Sequence, residues 1–198
     1  MEVAQERSVS AEGVALLASA VADVYSVQHR SVVETLEAGM RHRQPWDKTA
    51  AYTGTPGDPH GRGHRRAYLW ATANFPKRMG RRIHNAPAWL FFDEQKVPRS
   101  IKSGDEVAIH LKVPMCELLI MQYTGGPRLS WERVLSNQSC CEHEGACCSA
   151  VCYPTRKALR TSWDRLFTLS GSPADWQAIV DRIEPEWLHC RLACKPGT

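Results

Sequence analysis

Along residues 106–113 apolar and polar side chains alternate: Val107, Ile109, Leu111 and Val113 fall on one side, Ala108, His110 and Lys112 on the other. A two-residue period is that of an extended chain with one buried face, so this segment is predicted as a strand. Shorter runs rich in β-branched and aromatic residues predict further strands at 24–28, 88–92 and 117–122, and a closing strand near 187–193. Helices are predicted where the apolar positions spread apart. Ser31 and Glu34 have the spacing with which a serine oxygen and a glutamate reciprocally satisfy free amides at a helix start, and Gly39 stands where about two turns would stop. A helix is predicted over 65–74, and Pro76 opens a second short helical segment carrying Met79 and Ile83. Ser130 caps a helix through Val134 and Leu135, and two more helices are predicted near 155–167 and 173–183. Residues 40–64, with seven prolines and glycines, read as one long loop.

Strands and helices are mixed without a regular β-α-β rhythm, which predicts an α+β fold rather than a doubly wound sheet. The expected organisation is a leader or short N-terminal helix over residues 1–22. One domain follows over 23–198, a small mixed or antiparallel sheet flanked by helices. A chain of 198 residues suffices for one domain with a real core. Seven tryptophans and a 43% hydrophobic content argue against disorder along the whole chain. The longest apolar stretches, 14–24 and 88–92, are too short or too interrupted to span a bilayer, and the first thirteen residues lack the basic-then-apolar order of a secretory signal. The expectation is a cytoplasmic protein with no membrane partner. In a reducing compartment its eight cysteines read as thiols or metal ligands before they read as disulfides.

The formal net charge of +4 says less than where the charges fall. Between Asp58 and Asp93 there is no acidic residue, while Arg62, Arg65, Arg66, Lys77, Arg78, Arg81 and Arg82 all lie there. A segment of one sign favours an anionic partner such as a nucleotide or a nucleic acid. On a helix Arg78, Arg81 and Arg82 share a face, and each phosphate contact would add salt-dependent affinity. The plainer alternative is a solvated face paired with acids from elsewhere.

Several separated pieces, in order over residues 24–193, resemble a family of uncharacterised bacterial and phage proteins grouped as a domain of unknown function. Tyr25-Ser26-Val27-Gln28 resembles the Trp-Thr-x-Gln of its first strand, and Ala67-Tyr68-Leu69-Trp70 its aromatic helix motif. Met79 to Ile83 resembles its Met-x-x-Arg-Ile, and the 88–92 run its tryptophan-bearing strand. Trp131 to Asn137 is similar to Trp-x-x-Val-Leu-Asn, and Ser162 to Phe167 to Ser-Trp-x-x-Ile-Phe. Tyrosine and serine replace the opening Trp-Thr, and Tyr123-Thr124-Gly125-Gly126-Pro127 replaces an acidic turn. The resemblance implies a shared fold more than a shared activity.

The opening strand, capped helix and later strands also look like the start of the NAD-binding fold of ADP-ribosyltransferases. That resemblance implies a polar side chain on the first strand to hold the dinucleotide, an aromatic to stack on nicotinamide, and a carboxylate to orient the ribose. Ser26, Gln28, His29 and Arg30 meet the first need and Tyr68 or Trp70 the second, with Arg78, Arg81 and Arg82 on the phosphates. The catalytic set would be Gln28, Tyr68 and Glu117, with Glu106 and Glu132 as alternatives for the carboxylate. NAD is the cofactor on this reading. Against it stands the plain reading that Gln28 satisfies backbone groups while Tyr68 and Trp70 pack a core. The rival function is a non-catalytic accessory protein that binds nucleic acid or another partner through residues 62–82, so the sequence leaves open whether this is an enzyme.

A last constellation is Cys-rich. Zinc takes four sulfur or nitrogen ligands in a tetrahedron, and Cys141, His143, Cys147 and Cys152 could supply them. Cys190 and Cys194 are further donors if the C-terminal end folds back. The alternative is a surface loop of free thiols.

Overall fold

The alternating run becomes β3 (Glu106–Pro114), and its Val107, Ile109, Leu111 and Val113 are buried. In this computed structural model, residues 20–45, 61–82, 85–97, 105–123, 134, 155–169 and 171–192 are described. The architecture is α+β: a six-stranded antiparallel sheet with helices on both faces. Its strands are β1 (Val21–His29), β2 (Ala88–Phe91), β3, β4 (Leu119–Gln122), β5 (Trp176–Val180) and β6 (Leu188–Arg191), in the order β4-β5-β2-β1-β3-β6. The helices are α1 (Arg30–Glu37), α2 (Gly61–Met79) and α3 (Arg156–Trp163). Among the described residues no helix is long and apolar enough to cross a membrane.

Each face has its own core. On the first, α1 lays Val32, Val33 and Leu36 over Ala22 and Val24 of β1, Leu90 of β2, and the buried row of β3. On the second, Ala67, Ala71 and Phe75 of α2 and Trp163 of α3 pack on Leu119, Met121 and Ile179. Burying each large side chain contributes about 1.5–3 kcal/mol, so both faces are needed to fix the sheet. Register sets the split. Ser26 opposes Ile109 and Gln28 opposes Val107, which puts both polar residues on the α1 face. Tyr25 opposes Phe91 and His110, which belong to the other face.

Several local expectations are corrected. β1 begins at Val21, so the last residues assigned to a leader are part of the sheet. The cap of α1 is His29 rather than Ser31: its ring accepts from the Ser31 amide, and the Ser31 hydroxyl turns back to the same Nδ1 at 2.8 Å. The stop at Gly39 holds, since it adopts φ +74°, a left-handed conformation that costs glycine little. Pro76 does not open a new segment; it lies inside the last turn of α2, where its missing N–H costs one bond near an end that frays anyway. The helix runs on to Gly80, at φ +68°.

The largest correction concerns 173–183, predicted as a helix. Ser172 and Pro173 do start a helical turn, but it is a single 3-10 turn over Pro173–Asp175. Trp176–Val180 then becomes β5, an interior strand between β4 and β2. A short strand covered on both faces shows no alternation, and periodicity cannot separate it from a buried helix. The helix predicted from Ser130 lies outside the described residues, apart from Val134, which is buried in the second core.

Candidate functional site

The residues assigned to a dinucleotide are divided by the sheet. Ser26 is buried on the α1 face, where its hydroxyl donates to the Trp89 carbonyl (2.8 Å) and accepts from Gln28 Nε2 (2.8 Å). Gln28 is thus tied to its own strand. His29 is engaged as the α1 cap, and the Arg30 backbone amide donates to the Asp105 carbonyl. Tyr68 lies on the opposite face, edge-on to Trp89 at 4.9 Å, and burial pushes its phenol up to about 12. Trp70 packs in that layer against Trp163 (5.5 Å) and Phe167 (5.4 Å). Gln28 and Tyr68 do not line one cleft, and these residues do not fit together as an NAD site.

Glu117 and Arg81 find each other instead. The Arg81 guanidinium pairs with the Glu117 carboxylate, reaches Asp181 at 3.4 Å, and lies 5.5 Å over the Phe75 ring. Arg182 continues the chain through Asp181 (2.9 Å) to Glu184 (2.5 Å), and Arg41 closes it on the other Glu184 oxygen (2.5 Å). This alternating row ties the end of α2 to the residues after β5. It neutralises Arg81 as a phosphate contact and Glu117 as a free carboxylate.

Burial raises the Glu184 carboxyl, but hydrogen bonds from Arg41 and Arg182 outweigh it and leave the pKa below the ordinary value. A carboxyl depressed on folding contributes stability that is complete above its unfolded pKa, about 4.3, and is lost as pH falls through the folded value. Glu184→Gln is therefore expected to cost about 1.5–3 kcal/mol at neutral pH. The gap from the parent protein should close as pH drops below about 4. Urea denaturation at both pH values checks this; an equal gap at both would show that the ion pairs are not its source.

The remaining arginines stay at the surface. Arg78 is exposed, its guanidinium 3.8 Å above the Phe167 ring, and Arg82, past the end of α2, is exposed as well. The sequence reading missed their neighbours: α3 presents Arg156, Lys157 and Arg160 outward, while Trp163 and Ser162 face the core. Thr155 caps this helix by accepting from the Ala158 amide at 3.1 Å. The Trp70, Phe167 and Arg78 contacts join α3 and the following Asp164–Phe167 turn to α2, so both helices belong to one outer layer. Among the described residues no carboxylate pairs with Lys77, Arg78, Arg82, Arg156, Lys157 or Arg160.

On the same face of the sheet, but on β1, β3 and β6, lies a second group of which only Cys190 was anticipated as a donor: His110, His189 and Cys190 converge, with Asp23 against His110. Cys141, His143, Cys147 and Cys152, expected to bind zinc, lie outside the described residues. No protein-family model, no curated protein and no solved structure matches this chain.

Proposed function

We propose that this protein binds nucleic acid through the outer surface of α2 and α3, as a non-catalytic binding module. The observation that carries the reading is the sign of that layer. Five exposed cations from two helices (Lys77, Arg78, Arg156, Lys157 and Arg160) and Arg82 just past the end of α2 lie in it, and α2 contains no acid at all. Cations on neighbouring elements repel one another where, as among the described residues here, no carboxylate pairs with them, so a fold that gathers them gains when a polyanion brings phosphates to them. Arg78, stacked on Phe167, also loses little side-chain freedom on binding. The dinucleotide reading has no comparable support, because its residues are split between two faces.

Fluorescence anisotropy with a labelled duplex and a labelled single strand tests the proposal. About five phosphate contacts would give a log–log salt slope near −4.5 on duplex, with affinity falling a few hundredfold between 50 and 200 mM salt. A flat salt response would remove the reading.

A further inference from the structure

The half of the sheet built from β1, β3 and β6 carries a different chemistry from the basic helices. In β6 the register against β3 slips: Cys190 opposes His110, but Leu188 opposes Leu111, leaving His189 as an extra residue. Such a bulge turns two successive side chains toward one side of the sheet. The flanking residues confirm the sense. Leu188 packs toward the α1 core and Arg191 pairs with Glu37 of α1, so His189 and Cys190 both point to the opposite face. There they meet His110, and one donor atom from each of the three lies within 4.8 Å of the others. The His110 and His189 rings sit edge to face at 4.8 Å.

We propose that His110, His189 and Cys190 bind a divalent transition ion of the zinc class, with Asp23 as the carboxylate that orients His110. Two imidazoles and a thiolate suit zinc or cobalt and not magnesium or calcium, which take oxygen donors. Around zinc, bonds of about 2.0–2.3 Å put neighbouring donors about 3.3–3.8 Å apart, so side-chain adjustment of about 1 Å closes the site. Asp23 Oδ1 lies 2.8 Å from His110 Nε2, the carboxylate–histidine pairing that fixes a ring and raises its basicity toward a metal. Tyr25 stacks on the His110 ring at 4.9 Å and limits its rotation. The surroundings favour a cation. Asp23, held against His110, brings a carboxylate to the edge of the patch. Lys112, across from Asp23, is the cation on the neighbouring strand. Three protein donors leave a fourth position for water or an exchangeable anion.

Cobalt titration of the metal-stripped full chain tests the site, because a thiolate ligand gives a near-ultraviolet charge-transfer band. The four loop residues Cys141, His143, Cys147 and Cys152 could compete, so two sets of variants are compared. Expected is about one equivalent of cobalt whose band is lost in Cys190→Ser and in His189→Ala but retained when Cys141, Cys147 and Cys152 are all replaced by serine. Cys190 and His189 are exposed, so their variants keep the fold, which circular dichroism verifies. Asp23→Asn is expected to weaken cobalt binding 10–100-fold while keeping the band. A band that survives Cys190→Ser, disappears in the loop variant, or never reaches stoichiometry overturns the site. Unchanged affinity in Asp23→Asn overturns the role of the carboxylate.

Discussion

Trp163→Ala is expected to destabilise the protein by about 3–5 kcal/mol, a large share of the 5–15 kcal/mol that holds a domain of this kind together. Trp163 is 1% exposed and stands at the end of α3, edge-on to Trp70 and surrounded by Ala67, Ala71, Phe75 and Leu166. Removing the indole leaves a cavity in this cluster that its neighbours close only in part. It also detaches α3 from α2, because few other side chains of that short helix are buried. Urea unfolding should show a lower midpoint at an unchanged slope. Leu169→Ala, at a position 36% exposed, should stay within about 0.5 kcal/mol and serves as the control. A change no larger than the control's would mean that the two helices are not one packed layer.

Reversing three charges on α3, by Arg156→Glu, Lys157→Glu and Arg160→Glu together, is expected to reduce nucleic-acid affinity by at least about a hundredfold at physiological salt. The salt slope should become shallower by about 2.7, since each phosphate contact contributes about 0.9. These side chains are exposed, and at 156 and 157 an acid in the first turn interacts well with the positive end of the helix, offsetting the loss of a favourable cation at 160, so the fold should be kept. The comparison discriminates sharply. Arg81→Ala should leave the slope unchanged, because Arg81 is committed to Glu117 and Asp181. If the α3 reversal and Arg81→Ala alter binding equally, the effect is general charge and not an interface.

The sequence disclosed what local chemistry decides. The β3 alternation, the glycine that ends α1 and the threonine-capped α3 each follow from residues within a few positions of one another. Long-range pairing decides the rest. β5 has apolar residues on both sides because a core covers each face of the sheet there, and nothing within Trp176–Val180 announces its neighbours β2 and β4. Gln28 and Tyr68 looked compatible only while the face of β1 was unknown; opposition to Val107 turned Gln28 toward α1. His110 was legible as a residue facing away from the β3 core, but its partners sit about eighty residues later, brought to it by a bulge. The six-cation surface was half visible, since the acid-free stretch is a run and the α3 contribution is a helical stripe at Arg156, Lys157 and Arg160, far along the chain.

The strand order carries a consequence for how the protein is made. β1 lies near the middle of the sheet, yet β5 must slot between β2 and β4, and β6 must cover the far side of β3. Until residues 176–191 have left the ribosome, β2, β3 and β4 stand with unpaired edges, and β4 has no strand to join. Such late closure of distant contacts makes for slow maturation and a nascent chain that adheres to others. Synthesis rate and chaperone supply should therefore govern the yield of this protein more than its final stability does.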